Sequence, residues 1–255
     1  MITQPRASKW PGLASTAVLA LLCAFGAAAF LYPFFLAGRA LNEQSAHAAD
    51  APLIFAVLGP ALLALGALGP FRLVPAPEVE DQLNVYFDTA DRRLRQARYG
   101  LRVRLIGQRR IATLKGAATV RDGMYERDEW EAEIGPSDDP ADWPAGELRD
   151  RVLALLGGAP VAPELSMRTL RHHVYAERGG ARVAELSLDE GDISAGGLAQ
   201  HFRELEAELL RDGTRADLDE LVGLLRARFP LAPENRSKLA RGLALLDEAN
   251  AQHGG

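Results

Sequence analysis

The chain has 255 residues, 48% of them hydrophobic, with a formal net charge of −5 and one cysteine, Cys23. The length suits one large domain or two small ones. The acid excess gives no overall basic signal for nucleic acid, and a lone cysteine excludes an intrachain disulfide and a cysteine-based zinc site. Cys23 reads as an inert packing residue. The charge is uneven: residues 1–76 hold four basic and two acidic groups, leaving 25 basic and 32 acidic groups for 77–255.

Residues 13–38 and 51–71 contain no charge. Each meets the requirement of about 20 apolar residues for a membrane-crossing helix. Together they predict a two-helix transmembrane hairpin in residues 1–74, with 39–50 as its loop. Arg6 and Lys9 before the first run and Arg72 after the second predict both termini on the cytoplasmic side. A signal peptide cleaved after Ala46-His47-Ala48 fits less well, because the apolar run is long and a second follows. LVPAPEVED (73–81) reads as a linker, its two prolines stopping the preceding helix.

The following stretch carries most of the information. From Arg92 to Lys115 there are nine basic residues and no acid, and Glu126, Asp128, Glu129, Glu131 and Glu133 follow. Leu101, Val103 and Leu105 alternate with Arg102 and Arg104; Trp130, Ala132 and Ile134 alternate with Glu129, Glu131 and Glu133. Period two predicts strands with one charged and one apolar face. The plain reading is a sheet with its polar face in water. The sharper one is a shared cavity in which both signs of charge meet a polyanion and metal ions.

The rest follows in chain order. A short basic helix is predicted over 91–99, a hairpin over 101–106 and 109–115 around Gly107, and an acidic strand over 124–134. A polar loop over 135–146 leads to a helix at 147–156. A second hairpin covers 168–176 and 181–189. HFRELEAELL (201–210) is helical by composition, although its alternating glutamates also fit a strand. Amphipathic helices are predicted over 214–228 and 236–248. There is no phosphate loop, no dinucleotide fingerprint and no nucleophile elbow. The five histidines show no metal spacing, and His172-His173 fall on opposite faces of a strand.

YFDT (86–89), GLRVR (100–104), TLKG (113–116), ERDEWEAEI (126–134), RTLRHHVY (168–175), VAELSLDEGDI (183–193), FRELEAEL (202–209) and SKLARGLAL (237–245) together resemble the CYTH superfamily of triphosphate tunnel metalloenzymes. The likeness covers roughly residues 82–248. It implies an α+β fold: an antiparallel β-barrel forming a tunnel with flanking helices, here over residues 75–255 and preceded by the transmembrane hairpin. It implies a strand, not a helix, at 201–210. It also implies inward basic groups that hold a linear triphosphate and inward acids that hold Mg²⁺ or Mn²⁺.

Arg102 and Arg104 match the family's first basic strand, and Lys115 its Leu-Lys-Gly turn. Arg127, Glu129 and Glu131 match its Arg-x-Glu-x-Glu strand. Arg171, Asp189, the pair Glu204 and Glu206, and Lys238 match later positions. The implied catalytic groups are Glu129, Glu131, Glu204 and Glu206, which with Asp189 form the implied metal set. The implied substrate-binding groups are Arg102, Arg104, Lys115, Arg127, Arg171 and Lys238.

The sequence departs from the family at its start. A Glu-x-Glu-x-Lys strand and a helix are expected before YFDT; Glu78-Val79-Glu80-Asp81-Gln82 is the nearest approach, with Gln82 in place of lysine. The first tunnel strand is therefore expected to be missing or supplied by another subunit, as in a homodimer. Residues 16–70 also resemble, over two helices, the start of membrane substrate-binding components of uptake transporters, a likeness too short to carry function. Three functions follow. The first is a membrane-tethered hydrolase of inorganic or organic triphosphate. The second is a catalytically impaired module that binds polyphosphate or nucleotide. The third is a non-catalytic membrane fusion. The implied partners are a triphosphate-containing molecule or polyphosphate and the lipid bilayer, with no nucleic acid.

Overall fold

The computed structural model describes residues 16–22, 65–117, 119–121 and 124–253. Its strands are β1 (Thr16–Leu22), β2 (Ala67–Leu68), β3 (Phe71–Thr89), β4 (Gly100–Ile106), β5 (Arg109–Lys115), β6 (Thr119–Arg121), β7 (Met124–Arg127), β8 (Glu129–Glu133), β9 (Val161–Arg178), β10 (Ala181–Ala195), β11 (Leu198–Leu209) and β12 (Ala232–Pro233). The α-helices are α1 (Arg93–Gln96), α2 (Glu147–Leu156), α3 (Arg215–Arg228) and α4 (Lys238–His253). The described strands form one 12-stranded sheet in the order β6-β7-β1-β11-β10-β9-β3-β4-β5-β8, with β12 beside β1 and β2 beside β3. Every pairing is antiparallel. β7 and β8 lie towards opposite ends of this path but are consecutive in the chain, separated by Asp128. The sheet therefore curls back on itself around an interior.

Period two gives each strand two unlike faces, and packing under the helices decides which one is inside. In β4, Leu101 and Val103 turn outward and are buried with Ala112 and Leu114 of β5 against Leu148, Val152 and Leu156 of α2. On the neighbouring wall, Val174, Leu186, Leu205 and Ala207 pack outward against Leu218, Leu221 and Leu225 of α3. The alternate positions, which carry the charges, face inward. The sheet thus keeps its apolar faces under helices and its polar faces around the cavity. α4 covers one end, where Leu239, Leu243 and Leu246 meet Tyr86, Leu165, Met167, Ile193 and Phe202.

Local signals set the helix ends. α2 stops at Gly157 in the left-handed conformation, φ 55°, which glycine adopts without a Cβ penalty. α3 opens with a capping box in which Thr214 and Asp217 satisfy each other's backbone N–H groups, removing two orphan donors of the first turn. The segment at 201–210 is a strand, as the resemblance implies and its helix-forming composition does not. Pairing with β10 over twelve register positions overrides local propensity.

Several expectations need correction. Residues 73–81 are no linker: they lie inside β3, paired with β9, with a register irregularity between Pro75 and Val79. Proline lacks a ladder donor and is tolerated at such a bulge. The acidic strand is two strands, because β7 pairs with β1 and β6 whereas β8 pairs with β5. The expected helix over 91–99 is only the four residues of α1.

A strand does precede YFDT in the chain: β1 lies between β7 and β11. Its sequence TAVLALL contains no ionisable residue. Thr16–Leu22, read from sequence as part of a membrane helix, is drawn into extended form because β7 and β11 otherwise present unpaired ladder groups. Most of the predicted hairpin, 23–64, lies outside the described residues. Its second run ends in the β2–β3 hairpin. Among the described residues no helix is long and apolar enough to cross a membrane.

Candidate active site

The sheet encloses a cavity of about 770 Å³. All eleven residues singled out from sequence line it: Arg102, Arg104, Lys115, Arg127, Glu129, Glu131, Arg171, Asp189, Glu204, Glu206 and Lys238. Strict alternation on β4, β5, β8, β9, β10 and β11 brings nine of these distant positions to one face, and Arg127 of β7 and Lys238 of α4 join them.

The basic wall is crowded with positive charge. Arg102, 6% exposed, donates from Nη2 to Thr113 Oγ1 at 3.1 Å, while its buried Nε has no hydrogen-bond partner. Thr113 in turn donates to Glu131 at 3.1 Å. Arg104 donates to Asn84 Oδ1 at 3.0 Å; burial, then Arg102 and Arg171, pushes its pKa down to about 10. Lys115 and Arg127 share one carboxylate, Glu129 Oε1, at 2.9 and 2.8 Å. Burial, with Arg102 adding to it, lowers Lys115 to about 7 despite that ion pair. Burial alone would raise Glu129, but Lys115 and Arg127 outweigh it and hold it at about 2. Two cations on one acid, with a third close by, leave a surplus of positive charge.

The second cluster joins β9, β10, β11 and α4. Asp189, fully buried, takes a bidentate pair from Arg171 at 2.7 and 2.6 Å and an ion pair from Lys238 at 3.0 Å. Arg171 also reaches Glu206 at 2.7 Å. Lys238 pairs with Glu204 at 2.8 Å and closely with Glu206. Arg241 Nη2 donates to Glu204 at 2.7 Å. Burial opposes ionisation of Glu206, yet Lys238 and Arg171 hold its pKa well below the usual range. Burial raises Glu204, with Lys238 opposing it and the neighbouring Glu206 adding to it.

The five acids implied as one metal set are therefore divided. Glu129 and Glu131 stand on β8 beside the basic wall, whereas Asp189, Glu204 and Glu206 surround Lys238. Among the described residues no three acids or histidines converge on a preformed cation position. The donors are nonetheless of the hard-oxygen type that Mg²⁺ or Mn²⁺ prefers. Glu208 supplies a second reason. It faces the cavity two residues beyond Glu206, and among the described residues no cation pairs with it. Its side chain keeps contact with solvent, but crowding that desolvates the carboxylate, then Glu129, Glu206 and Glu185, raises its pKa. A divalent cation relieves this excess of negative charge, so the residues present fit one.

Sequence reasoning missed Glu208, although the alternation of Glu204 and Glu206 reaches it. It also missed Asn84, Thr113, His173, Glu185 and Arg241. Period two could have flagged Asn84, Thr113, His173 and Glu185 once the inward face was known. Arg241 sits three residues after Lys238, one helical turn along the same face.

A family model for the CYTH domain matches residues 73–243. The chain belongs to the CYTH family. One curated relative of this CYTH chain is an inorganic triphosphatase of Haemophilus influenzae, 28% identical over 163 residues, which cover 64% of this chain and 45% of the relative. The chain thus spans about half the length of that protein. Among solved structures, HpAC1 from Hippeastrum, described under the name adenylyl cyclase as having a dominant triphosphatase activity, superposes with a TM-score of 0.61. It is 19% identical, and the match covers 90% of this chain and 95% of that one. At that identity the likeness shows the shared CYTH fold.

Proposed function

We propose that this CYTH domain binds a linear triphosphate in its cavity and hydrolyses it with the help of Mg²⁺ or Mn²⁺. The observation that carries the reading is the surplus of buried cations. Lys115 held at about 7 and Arg104 at about 10 are what an anion-binding wall looks like before its anion arrives, because like charges in a desolvated space disfavour one another. A polyanion reverses that penalty. The inorganic triphosphatase relative points to the same substrate class.

Arg102, Arg104, Lys115 and Arg127 grip the phosphates from one wall, and the planar guanidinium groups suit bidentate contacts. Arg171 and Lys238 act from the other wall, where Asp189 fixes Arg171 in place. Lys115 takes up a proton as the polyanion arrives and becomes fully cationic. Glu204, Glu206 and Glu208, alternate residues of one strand, are the groups that would hold the metal, with Asp189 and Glu129 nearby. The metal, when bound, supplies Lewis-acid polarisation of a phosphoryl oxygen and a more acidic water. The sheet and α4 shield Arg102, Asp189 and Glu204 from bulk water, strengthening their contacts, while Glu131 and Glu208 stay within reach of solvent.

The test is phosphate release from inorganic triphosphate by the full-length protein, with and without Mg²⁺ or Mn²⁺. Metal-dependent release that is lost in Glu206→Gln supports the reading. Folded protein that binds triphosphate and releases no phosphate with either metal overturns the hydrolase. It favours a second reading, a polyphosphate-binding module. The observation on that side is β1, whose positions paired with Glu204, Glu206 and Glu208 are Leu22, Ala20 and Val18, none of them a metal ligand.

We also propose attachment to a lipid bilayer through the uncharged runs left at 23–38 and 51–64, with the CYTH domain on the cytoplasmic side. Both runs are shorter than the roughly 20 residues of a full span, so shallow insertion is the form that fits. Flotation with liposomes, lost on deleting 23–64, is the check. A second subunit is not required to complete the wall, since β1 already bridges β7 and β11.

A further inference from the structure

The metal and phosphate groups leave one cavity-lining constellation unused. His172 points outward and His173 inward, its side chain 15% exposed. His173 Nδ1 lies 2.5 Å from Glu185 Oε1 on β10. Its other ring nitrogen, Nε2, lies 3.4 Å from Glu80 Oε2 on β3 and is buried without a hydrogen bond. Gln82 donates to Glu80 at 2.7 Å, and Ser187 to Glu185 at 3.4 Å. The remaining charged group facing the ring is Arg171, two residues earlier on β9.

The geometry favours a charge on the ring. A neutral imidazole has one N–H. If Nδ1 donates to Glu185, the lone pair on Nε2 faces the Glu80 carboxylate, a repulsive contact away from water. An imidazolium donates to Glu185 from Nδ1 and sets a positively charged N–H 3.4 Å from Glu80 Oε2. Arg171 cannot substitute, because its guanidinium is already committed to Asp189 and Glu206. The Glu185 hydrogen bond, with the charges of Glu185 and Glu80, outweighs burial and raises the His173 pKa above its ordinary 6.5.

We propose that His173 is a positioning residue whose bound proton neutralises Glu80 and Glu185 and thereby sets the affinity of the cavity for a polyanion. The inference rests on the triphosphate reading given above. Loss of the proton leaves Glu80 and Glu185 without their shared counter-ion, lining the same cavity as Glu208. The cavity then gains one negative charge beside Arg171, and the affinity for triphosphate falls as pH rises through the His173 pKa. His173 need not touch the substrate, because it acts through the two carboxylates it holds.

The experiment is calorimetric binding of inorganic triphosphate, without divalent metal, from pH 6 to 9, to the full-length protein and to His173→Gln and His173→Arg. Lys115 and Glu208 also titrate near neutrality, but they are common to all three proteins. The ratio of affinities therefore isolates His173. His173→Gln should bind roughly tenfold more weakly than the parent at pH 6, as expected for one partly buried charge at an effective protein dielectric. It should converge with the parent at pH 9, where the parent has lost the same charge. His173→Arg should keep the low-pH affinity relative to the parent throughout, and so bind more tightly than the parent at pH 9.

A parent-to-Gln ratio that is constant across this range overturns the proposal while leaving the triphosphate site standing. Parent protein that binds no triphosphate at any pH overturns both. A second readout needs no ligand and no variant that folds well: the imidazole carbon-bound proton resonances of the parent. A His173 midpoint above 6.5 supports the proposal, and one at or below it overturns it.

Discussion

Replacing Lys238 by methionine removes the one cation, among the described residues, that touches Asp189, Glu204 and Glu206 together. The side chain is 13% exposed, so the interaction is little screened by water. Removing one partner of a buried ion pair costs about 3–5 kcal/mol, because the remaining charge is left without compensation. Arg171 and Arg241 stay on the same carboxylates, which places the expected loss at the lower end, about 3 kcal/mol at pH 8. The pH dependence follows from the acids. Burial opposes ionisation of Glu206 and Asp189, but Lys238 and Arg171 hold both below their ordinary 4.5 and 3.8. Groups depressed in the folded state contribute stability above their unfolded pKa and lose it as pH falls through the folded one. Without Lys238 these acids move upward, so the variant recovers stability by taking up a proton as pH falls. The deficit against the parent is therefore largest at pH 8 and narrows towards pH 4.5. Urea unfolding followed by circular dichroism at both pH values measures it. Equal deficits at the two values, or a deficit under about 1 kcal/mol at pH 8, would refute the assignment of Lys238 as the shared counter-ion.

Three further perturbations probe other levels of the structure. Lys115, held at about 7, is mostly neutral at pH 8 and should recharge when triphosphate binds. Calorimetry in buffers of different ionisation enthalpy should show proton uptake that is reduced in Lys115→Arg, and unchanged uptake would count against the depressed pKa. Gly191→Ala places a Cβ 2.0 Å from the Arg168 carbonyl oxygen, so β9 and β10 must separate next to Asp189. A loss of about 3 kcal/mol is expected, together with weaker triphosphate binding, and a variant matching the parent in both would show that the strands can part freely. Thr214→Ala removes the capping box of α3, far from the cavity lining. It should lower stability by about 1 kcal/mol and leave binding unchanged in the same titration.

The strand alternation around Arg102 and Glu129 is legible in the chain, and it places charged and apolar residues on opposite faces by local geometry alone. It cannot say which face looks inward, because a solvated sheet shows the same alternation. The apolar sides of β4 and β9 decide that by lying under α2 and α3, which leaves the charges no place except the interior. The misreadings have the same origin. Residues 73–81 look like a linker by their prolines, yet the ladder with β9 absorbs them at a bulge. Thr16–Leu22 looks like membrane helix by hydropathy, yet the open edges of β7 and β11 supply the backbone partners that make it a strand.

Sequence by itself determined the residue types of the site and their order. Period two and the motif spacing fix which residues share a strand face, and that much is local geometry. Only the tertiary structure decided the electrostatics. Register across non-adjacent strands sets Lys238 of a late helix among Asp189, Glu204 and Glu206, gives Glu129 two cations, and holds His173 between Glu80 and Glu185. A charge is stabilised or destabilised by what lies within a few ångströms and by how much water remains there. Those neighbours come from segments far apart in the chain, which no local pattern encodes.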